Sequence, residues 1–337
     1  MPRWSVFKLT MEPTQRRLQF RLRTLMLLVA AAAVVLAIAC WLHRGYQRQW
    51  RALREIHAAA VPFKLPDDID NDNRYPLFAE QPHVKAESTL FRPFGLPVGS
   101  LGQHYVTVSI LEVVGDAPAW VAVNRLDHFP DVVEIDIDGD TASDELLAGL
   151  SKLKRLQRLR IKSNSMDGTF LESMNDSENL VSLSLSSIAL RDRVFLQACC
   201  FEGLEQLHLS GVKIRDAASL CELSKLMRLT RIHLSGWFPN EGLEALAKLE
   251  RLDTVSLASD SLNNDGVSRL AGSSSVFSLE IYGPNIDDDV IDSIAQMPEL
   301  NMLTLNYTKV TPAGVEKLKQ LRPDIQVEVI APRTPSE

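Results

Sequence analysis

Apolar residues recur with a fixed period along the C-terminal two thirds of the chain. A leucine-type residue is followed by a second one three positions later and by a third two positions after that, in an L-x-x-L-x-L frame. Frames begin at residues 132, 156, 180, 204, 229, 252, 276 and 300, so successive frames are 23 to 25 residues apart. A period of this length predicts a solenoid of stacked repeats.

Each repeat combines two kinds of apolar pattern. The L-x-L end of the frame alternates as a half-buried strand does, and apolar residues at helical spacing follow about nine residues later, as at 243–249. A degenerate copy near Val108 and a last strand at 327–329 extend the array. We therefore predict an α/β solenoid at 108–331, with parallel strands on the concave face and helices on the convex face, followed by a C-terminal tail at 332–337.

Two segments show the repeat most completely, LEQLHLSGVKIRDAASLCELSKL at 204–226 and LNMLTLNYTKVTPAGVEKLKQL at 300–321. They resemble the leucine-rich repeat family, in its ribonuclease-inhibitor-like branch with one strand and one helix per repeat. The Asn or Cys that usually follows the strand in that family is replaced here by varied residues, such as Val212 and Asp260. The resemblance implies a surface for protein recognition.

The N-terminal region contains an apolar run from Leu25 to Leu42 without one charged side chain. As a helix these residues would be about 27 Å long, close to the thickness of the hydrocarbon core of a bilayer. We therefore predict a single transmembrane helix at 25–42, in contact with lipid, after a basic tail at 1–24. The leading interpretation is an uncleaved signal anchor. A cleaved signal peptide and a lipoprotein acylated at Cys40 are the alternatives.

Basic residues near the ends of this run predict its orientation. Six lie before it and four after it, which favours a cytoplasmic N-terminus and an exported, periplasmic or extracellular repeat domain. Residues 43–60 read as a juxtamembrane helix. Residues 61–107, rich in Pro and Asp, read as a linker or as an N-terminal cap built around Phe91, Phe94, Leu96 and Val98. This arrangement also resembles bacterial membrane-anchored leucine-rich repeat proteins of unassigned function.

The charge of the chain is unevenly distributed. The net charge is −7, yet residues 1–60 hold ten basic and only two acidic side chains, so the repeat region is strongly acidic. An acidic domain repels the phosphates of nucleic acids, and we expect no nucleic-acid partner.

Three groups of residues have side chains that can bind a metal or react. Asp68, Asp70 and Asp72 have the spacing of a calcium loop, but the sixth position is Asn73 where such a loop needs Gly, which favours a solvated acidic linker. Cys199, Cys200 and Cys221 lie in adjacent repeats, where buried free thiols that pack as small apolar side chains are favoured over a disulfide bond.

His208 and His233 form the third group. They occupy the same slot of adjacent repeats, so we expect their rings about 4.8 Å apart on the exposed face of the strands. Two histidines in this position suggest a shared metal or a response to pH. The flanking slots hold Ser184 and Ser256, which supply no further metal ligand, and ordinary surface residues are the favoured interpretation.

No nucleophile with its base, no phosphate-binding loop and no metal motif can be assembled from this sequence. We predict a non-enzymatic protein without catalytic residues, cofactor or metal. An enzyme would need a site within 61–105.

The predicted function is protein recognition by the exposed slots of the strands and by aromatic residues just past them. The predicted partner-binding residues are Arg158, Arg160, His208, Arg231, His233, Trp237, Phe238, Tyr282 and Tyr307. Arg158 and Arg160 have an alternative role, because they lie opposite Glu134 and Asp136 and can pair with them. The aromatic residues have one too, which is to pack under the loops that follow the strands. Two other functions remain open: a self-associating scaffold of the cell envelope, and an adaptor facing the cytosol.

Overall fold

The computed structural model describes residues 106–330 except 176, together with a strand at 84–90 and parts of the segment between 29 and 58. The chain forms two compact units. One contains Met1–Trp50 and Leu90–Val106, and the other contains Arg51–Thr89 and Thr107–Glu337.

The described residues of the first unit, between 29 and 49, are helical. The side chains of Val29, Val35 and Leu36 are more than half exposed. Among the residues that the structure describes, no helix is both long enough and apolar enough to cross a membrane, and the predicted span at 25–42 lies only partly within them.

Eleven strands of the described chain form one sheet, in which they lie in sequence order. Every pairing from the second strand to the last is parallel. The strands are β1 (Val84–Leu90), β2 (Val106–Val114), β3 (Glu134–Asp138), β4 (Arg158–Lys162), β5 (Ser182–Ser186), β6 (Gln206–Lys213), β7 (Arg231–Trp237), β8 (Thr254–Ala258), β9 (Ser278–Tyr282), β10 (Met302–Asn306) and β11 (Gln326–Ile330).

Short helices connect most of these strands. The α-helices are Asp116–Asn124, Asp144–Leu147, Arg193–Ala198, Ala217–Cys221, Glu244–Ala247, Asn264–Ser268, Ile291–Ile294 and Pro312–Leu321. The 3-10 helices are Leu126–His128, Ala148–Lys152, Thr169–Met174, Glu222–Lys225, Asn240–Leu243 and Asp288–Val290. Helices this short are not stable alone, so their packing against the strands maintains them. The predicted α/β solenoid is confirmed.

The frame residues form the core by stacking on their equivalents in the next repeat. Leu183 pairs in register with Leu207, and Leu207 pairs with Ile232. None of the three is more than 2% exposed. Because parallel strands lie about 4.8 Å apart, each frame side chain contacts the same slot on both sides. The period seen in the sequence is therefore the distance along the chain from one stacked residue to the next.

The N-terminal end of the core is covered in part by helical residues between 51 and 58. Ala52 and Ile56 are buried in the same apolar cluster as the repeats, with 1% and 0% exposed. Glu55 on the same segment accepts a hydrogen bond from Nε of Arg125 at 2.6 Å. The end of the predicted juxtamembrane helix thus belongs to the repeat domain. The residues predicted above to form the cap lie outside the described residues: Phe91, Phe94, Leu96 and Val98.

This packing predicts that Ile56→Ala destabilises the repeats. Truncating a fully buried isoleucine lowers the free energy of unfolding by about 2–5 kcal/mol. Arg54→Ala is the matched control, because Arg54 is exposed on the same segment, and its effect should stay within about 0.5 kcal/mol. Hydrogen exchange of the full-length variants measures the change in the free energy of unfolding that each substitution causes. Equal effects of the two substitutions would show that the segment does not seal the core.

Candidate functional site

The first, third and fifth residues of the five-residue strands point away from the helices and form what we call the open face of the sheet. Its central row runs across the strands from β3 to β11 as Asp136, Arg160, Ser184, His208, His233, Ser256, Glu280, Thr304 and Glu328. Side chains on this face meet neighbours that lie one repeat away in the sequence. The chemistry of the face is therefore decided by cross-strand pairs.

Acidic β3 and basic β4 pair with each other along their whole length. Arg158 bonds to Glu134 at 2.5 Å, Arg160 lies 3.7 Å from Asp136, and Lys162 lies 2.9 Å from the third carboxylate of β3. The hydrogen bond to that carboxylate also raises the pKa of Lys162. Predicted partner-binding residues Arg158 and Arg160 thus already have an acidic partner within the chain.

Arg231 at the start of β7 differs from these cations. Its side chain is exposed and forms no ion pair with any residue in the described part of the chain. Its strand neighbours are Gln206 and Thr254, which carry no charge.

The carboxylates of the flanking turns have other partners. Glu205 pairs with Arg228 at 3.2 Å, and Asp253 accepts a hydrogen bond from the hydroxyl of Thr254 at 2.9 Å. The guanidinium of Arg231 is therefore available to a ligand.

His208 and His233 stack face to face. Their ring centroids are 4.0 Å apart and the ring planes differ by 9°. Partial burial lowers the pKa of His208 to about 4, helped by the charges of His233 and Arg160. Burial also lowers the pKa of His233, against the opposing effect of Glu280. Both rings are neutral at pH 7.

The same geometry is unsuited to a shared metal ion. A metal bound to an imidazole nitrogen lies close to the plane of that ring, and two nearly parallel planes 4.0 Å apart have no such point in common. No group of three or more potential ligands occurs among the residues that the structure describes. The predicted calcium-like sequence at 68–72 lies outside them.

A row of hydrogen bonds continues from the histidine pair across the next strands. Ser256 donates its hydroxyl proton to Oε2 of Glu280 at 2.9 Å, and Asn306 donates to Oε1 at 3.1 Å. Because Ser256 has only one proton, Nδ1 of His233, 2.9 Å from its oxygen, must carry the proton of that contact. This leaves Nε2 of His233 as an acceptor.

Trp237 and Phe238, adjacent in sequence, have opposite environments. Trp237 ends β7 with 49% of its surface exposed, whereas Phe238 is 0% exposed and lies in the core. We call the aromatic residues Trp237, Tyr282 and Tyr307, which end or follow their strands at this edge of the sheet, the rim. Phe238 is buried and offers no surface to a partner.

A bulge positions this rim. Gly211 and Gly236 have φ of +80° and +132°, and the register between β6 and β7 shifts by one residue there. A Cβ on Gly236 would lie 2.3 Å from the carbonyl oxygen of Val212, so only glycine fits.

Tyr282 and Tyr307 form a second aromatic contact at the same rim, with ring centroids 4.9 Å apart. Tyr307 is 38% exposed. It is also the one non-glycine residue with positive φ, +53°, in the described part of the chain. Strained backbone of this kind is often found at functional sites.

A ladder of Asp and Asn side chains was not anticipated from the sequence. Each member accepts a hydrogen bond from a backbone N–H of the next repeat. The members lie at multiples of 24 residues: Asp144, Asp192, Asn240, Asn264 and Asp288. The Asp144 carboxylate alone accepts three such bonds. These hydrogen bonds connect the turns before the helices of adjacent repeats. The spacing of the ladder residues is visible in the sequence.

Cys199, Cys200 and Cys221 are free thiols, as predicted, but only Cys199 is buried, and the prediction of burial is wrong for Cys200 and Cys221. Burial raises the pKa of Cys199 to about 12, and its Sγ donates to the carbonyl oxygen of Glu222 at 3.1 Å. A thiol of this kind is not a nucleophile at pH 7.

Two of the chains that are similar to this one are a plant protein and a bacterial protein. Receptor-like protein 6 of Arabidopsis thaliana is 29% identical over 174 residues, which are 47% of this chain and 17% of that protein. Internalin C2 of Listeria monocytogenes, a crystal structure, is 19% identical with a TM-score of 0.43 over 62% of this chain and 84% of its own. No protein-family model matches the chain.

The in-phase frames, their stacking in one sheet of the solenoid and the match to the receptor-like protein agree with one another. The chain is therefore similar to leucine-rich repeat proteins in its repeats and in its fold. It spans only 17% of the length of the receptor-like relative.

The histidine pair predicts a pH dependence of stability. An unfolded histidine binds a proton as the pH falls through about 6.5, whereas folded His208 does so only near pH 4. Between these values the unfolded chain binds more protons, so acidification destabilises the fold. Other charges near the pair are Arg160, Arg231 and Glu280. Replacing both histidines with Gln should flatten the fall in melting temperature between pH 7 and 5.

His128→Gln is the control, because His128 lies beside Asp127 and apart from the stacked pair. It should leave the slope of melting temperature against pH close to that of the wild type. An unchanged slope in the double variant would show that the stacked pair is not the group that titrates.

Proposed function

We propose that this chain is a non-enzymatic, membrane-anchored recognition module that binds a protein partner on its open face and at the aromatic rim. The observation that carries the proposal is the combination of an exposed, unpaired Arg231 with exposed Trp237 at the two ends of one strand. Arg, Trp and Tyr dominate the binding energy of protein interfaces. Tyr282 and Tyr307 add two more residues of this kind at the same rim.

Contacts within the chain favour a smaller binding surface than the sequence predicts. Arg158 and Arg160 have acidic partners, and Phe238 is buried. His208 and His233 lie between the remaining residues as a neutral, flat pair. We therefore centre the contact on Arg231, His233, Trp237, Tyr282 and Tyr307.

Membrane tethering by residues 25–42 is part of the proposal. Its support is the apolar run itself, the basic residues before it and the receptor-like name of the Arabidopsis relative. With a cytoplasmic N-terminus, the repeats lie outside the cytoplasm. The alternative is an adaptor that faces the cytosol, in which the repeats of intact cells resist added protease.

The edge of the sheet favours one second candidate, self-association. β11 has no neighbour on its outer side among the described residues, and Val329 and Ile330 are 47% and 41% exposed. Open strand edges pair with other chains. A scaffold formed in this way predicts oligomers that increase with concentration in sedimentation experiments and that Val329→Lys abolishes.

Partner binding provides the direct test. Trp237→Ala and Arg231→Glu should each weaken capture of partners cross-linked to the full-length protein on cells, by about 30-fold for a 2 kcal/mol contribution. Both side chains are exposed, so neither change should alter the melting temperature by more than a few degrees.

Trp120→Ala is the matched control. Trp120 is 60% exposed on the helix Asp116–Asn124, away from the open face, and its loss should leave capture unchanged. Equal capture by the Trp120 and Trp237 variants would exclude the rim as the binding surface.

A further inference from the structure

We propose that the partner segment bound by the open face is acidic and apolar: it places a carboxylate against Arg231 and a large apolar side chain against Trp237. This inference rests on the proposed function and adds the chemistry of the partner to it.

The first argument is the charge left over after cross-strand pairing. The cations of β4 are neutralised by the acids of β3, whereas Arg231 at the start of β7 has no ion pair in the described chain. Lys213 at the end of β6, beside Trp237, is a second exposed cation without an ion pair among the described residues. A guanidinium presents N–H groups in a fixed fork that matches the two oxygens of a carboxylate.

The second argument is the absence of competing charge around Arg231 on the strands beside it. The first and third open-face positions of β5 to β8 hold Ser, Gln, His and Thr side chains, with Arg231 as their one charge. His208 and His233 are neutral at pH 7. A carboxylate of the partner that binds here therefore contacts Arg231, which is surrounded by mostly short, neutral side chains.

Glu280 then determines which side of the face the acid occupies. Its carboxylate is held by Ser256 and Asn306 two strands from Arg231, and it faces no cation within 4.0 Å in the described chain. A partner carboxylate is repelled at β9 and attracted at β7. The acidic end of the partner segment thus lies over the start of β7.

The third argument is distance. Arg231 and Trp237 are six residues apart on one strand, which corresponds to about 20 Å. An extended segment of about six residues or a helix of about 13 residues spans this length. Trp237 at the far end is 49% exposed, so the same segment requires an acid at one end and an apolar side chain at the other.

A phosphate chain is the competing anionic partner. It fits poorly, because nucleic-acid binding requires several cations in a row, whereas the two unpaired cations of β6 and β7, Lys213 and Arg231, lie at opposite ends of their strands on a chain of net charge −7.

The test is selection of a random library of 12-residue peptides, displayed on phage, against the immobilised full-length protein. A net charge of −7 would by itself enrich basic peptides, so enrichment of Asp or Glu together with an aromatic or aliphatic residue supports the proposal. The Kd of a selected peptide should rise about 30-fold on Arg231→Glu. Replacing the acid of that peptide with Lys should restore binding to the Arg231→Glu variant.

Lys319→Glu is the matched control, with the same change of charge on the helix Pro312–Leu321, behind the sheet. It should leave both the selected sequences and their Kd unchanged. Selection of peptides without acidic residues, or equal responses to Arg231→Glu and Lys319→Glu, would overturn the acidic partner. If Trp237→Ala still weakens capture of the cellular partner in that case, the proposed recognition function stands, and only the proposed acidic chemistry of the partner is wrong.

Discussion

The structure depends on the burial of each repeat's apolar residues by the two repeats beside it. Leu207 is covered by Leu183 on one side and by Ile232 on the other, and the same relation is repeated from β3 to β10. In the described chain, no helix between the strands of the repeats is longer than 10 residues, so none is stable without this contact. Stability is therefore a sum over neighbouring repeats, and the ends of the array are its weak points.

The same stacking determines the chemistry of the open face. A side chain on one strand meets the residue one period away, so an acidic strand beside a basic one becomes neutral, as in β3 and β4. A cation whose neighbours one period away are uncharged remains unpaired, as Arg231 does between Gln206 and Thr254. In the proposed function, the cation that binds the partner therefore lies in the repeat whose neighbours carry no opposite charge.

Much of this arrangement could be predicted from the sequence, because one period specifies the strands, their order and their register. The stacking of His208 on His233 and the pairing of Arg158 with Glu134 both follow from it. The exposure of Trp237 and the burial of Phe238 do not follow from the period, because they depend on the bulge at Gly211 and Gly236, where the period is interrupted. The packing of Ile56 was also missed, since a single apolar face outside the repeats has no periodic signal.

Stacking as the source of stability is tested most directly by hydrogen exchange of the full-length Leu209→Ala variant. Leu209 is fully buried at the centre of β6, and its truncation should lower the free energy of unfolding by about 2–5 kcal/mol. The account predicts faster exchange in β5, β6 and β7 together, whereas Met302→Ala, at an exposed position of β10, should change little. A loss below about 1 kcal/mol, or faster exchange confined to β6, would contradict it.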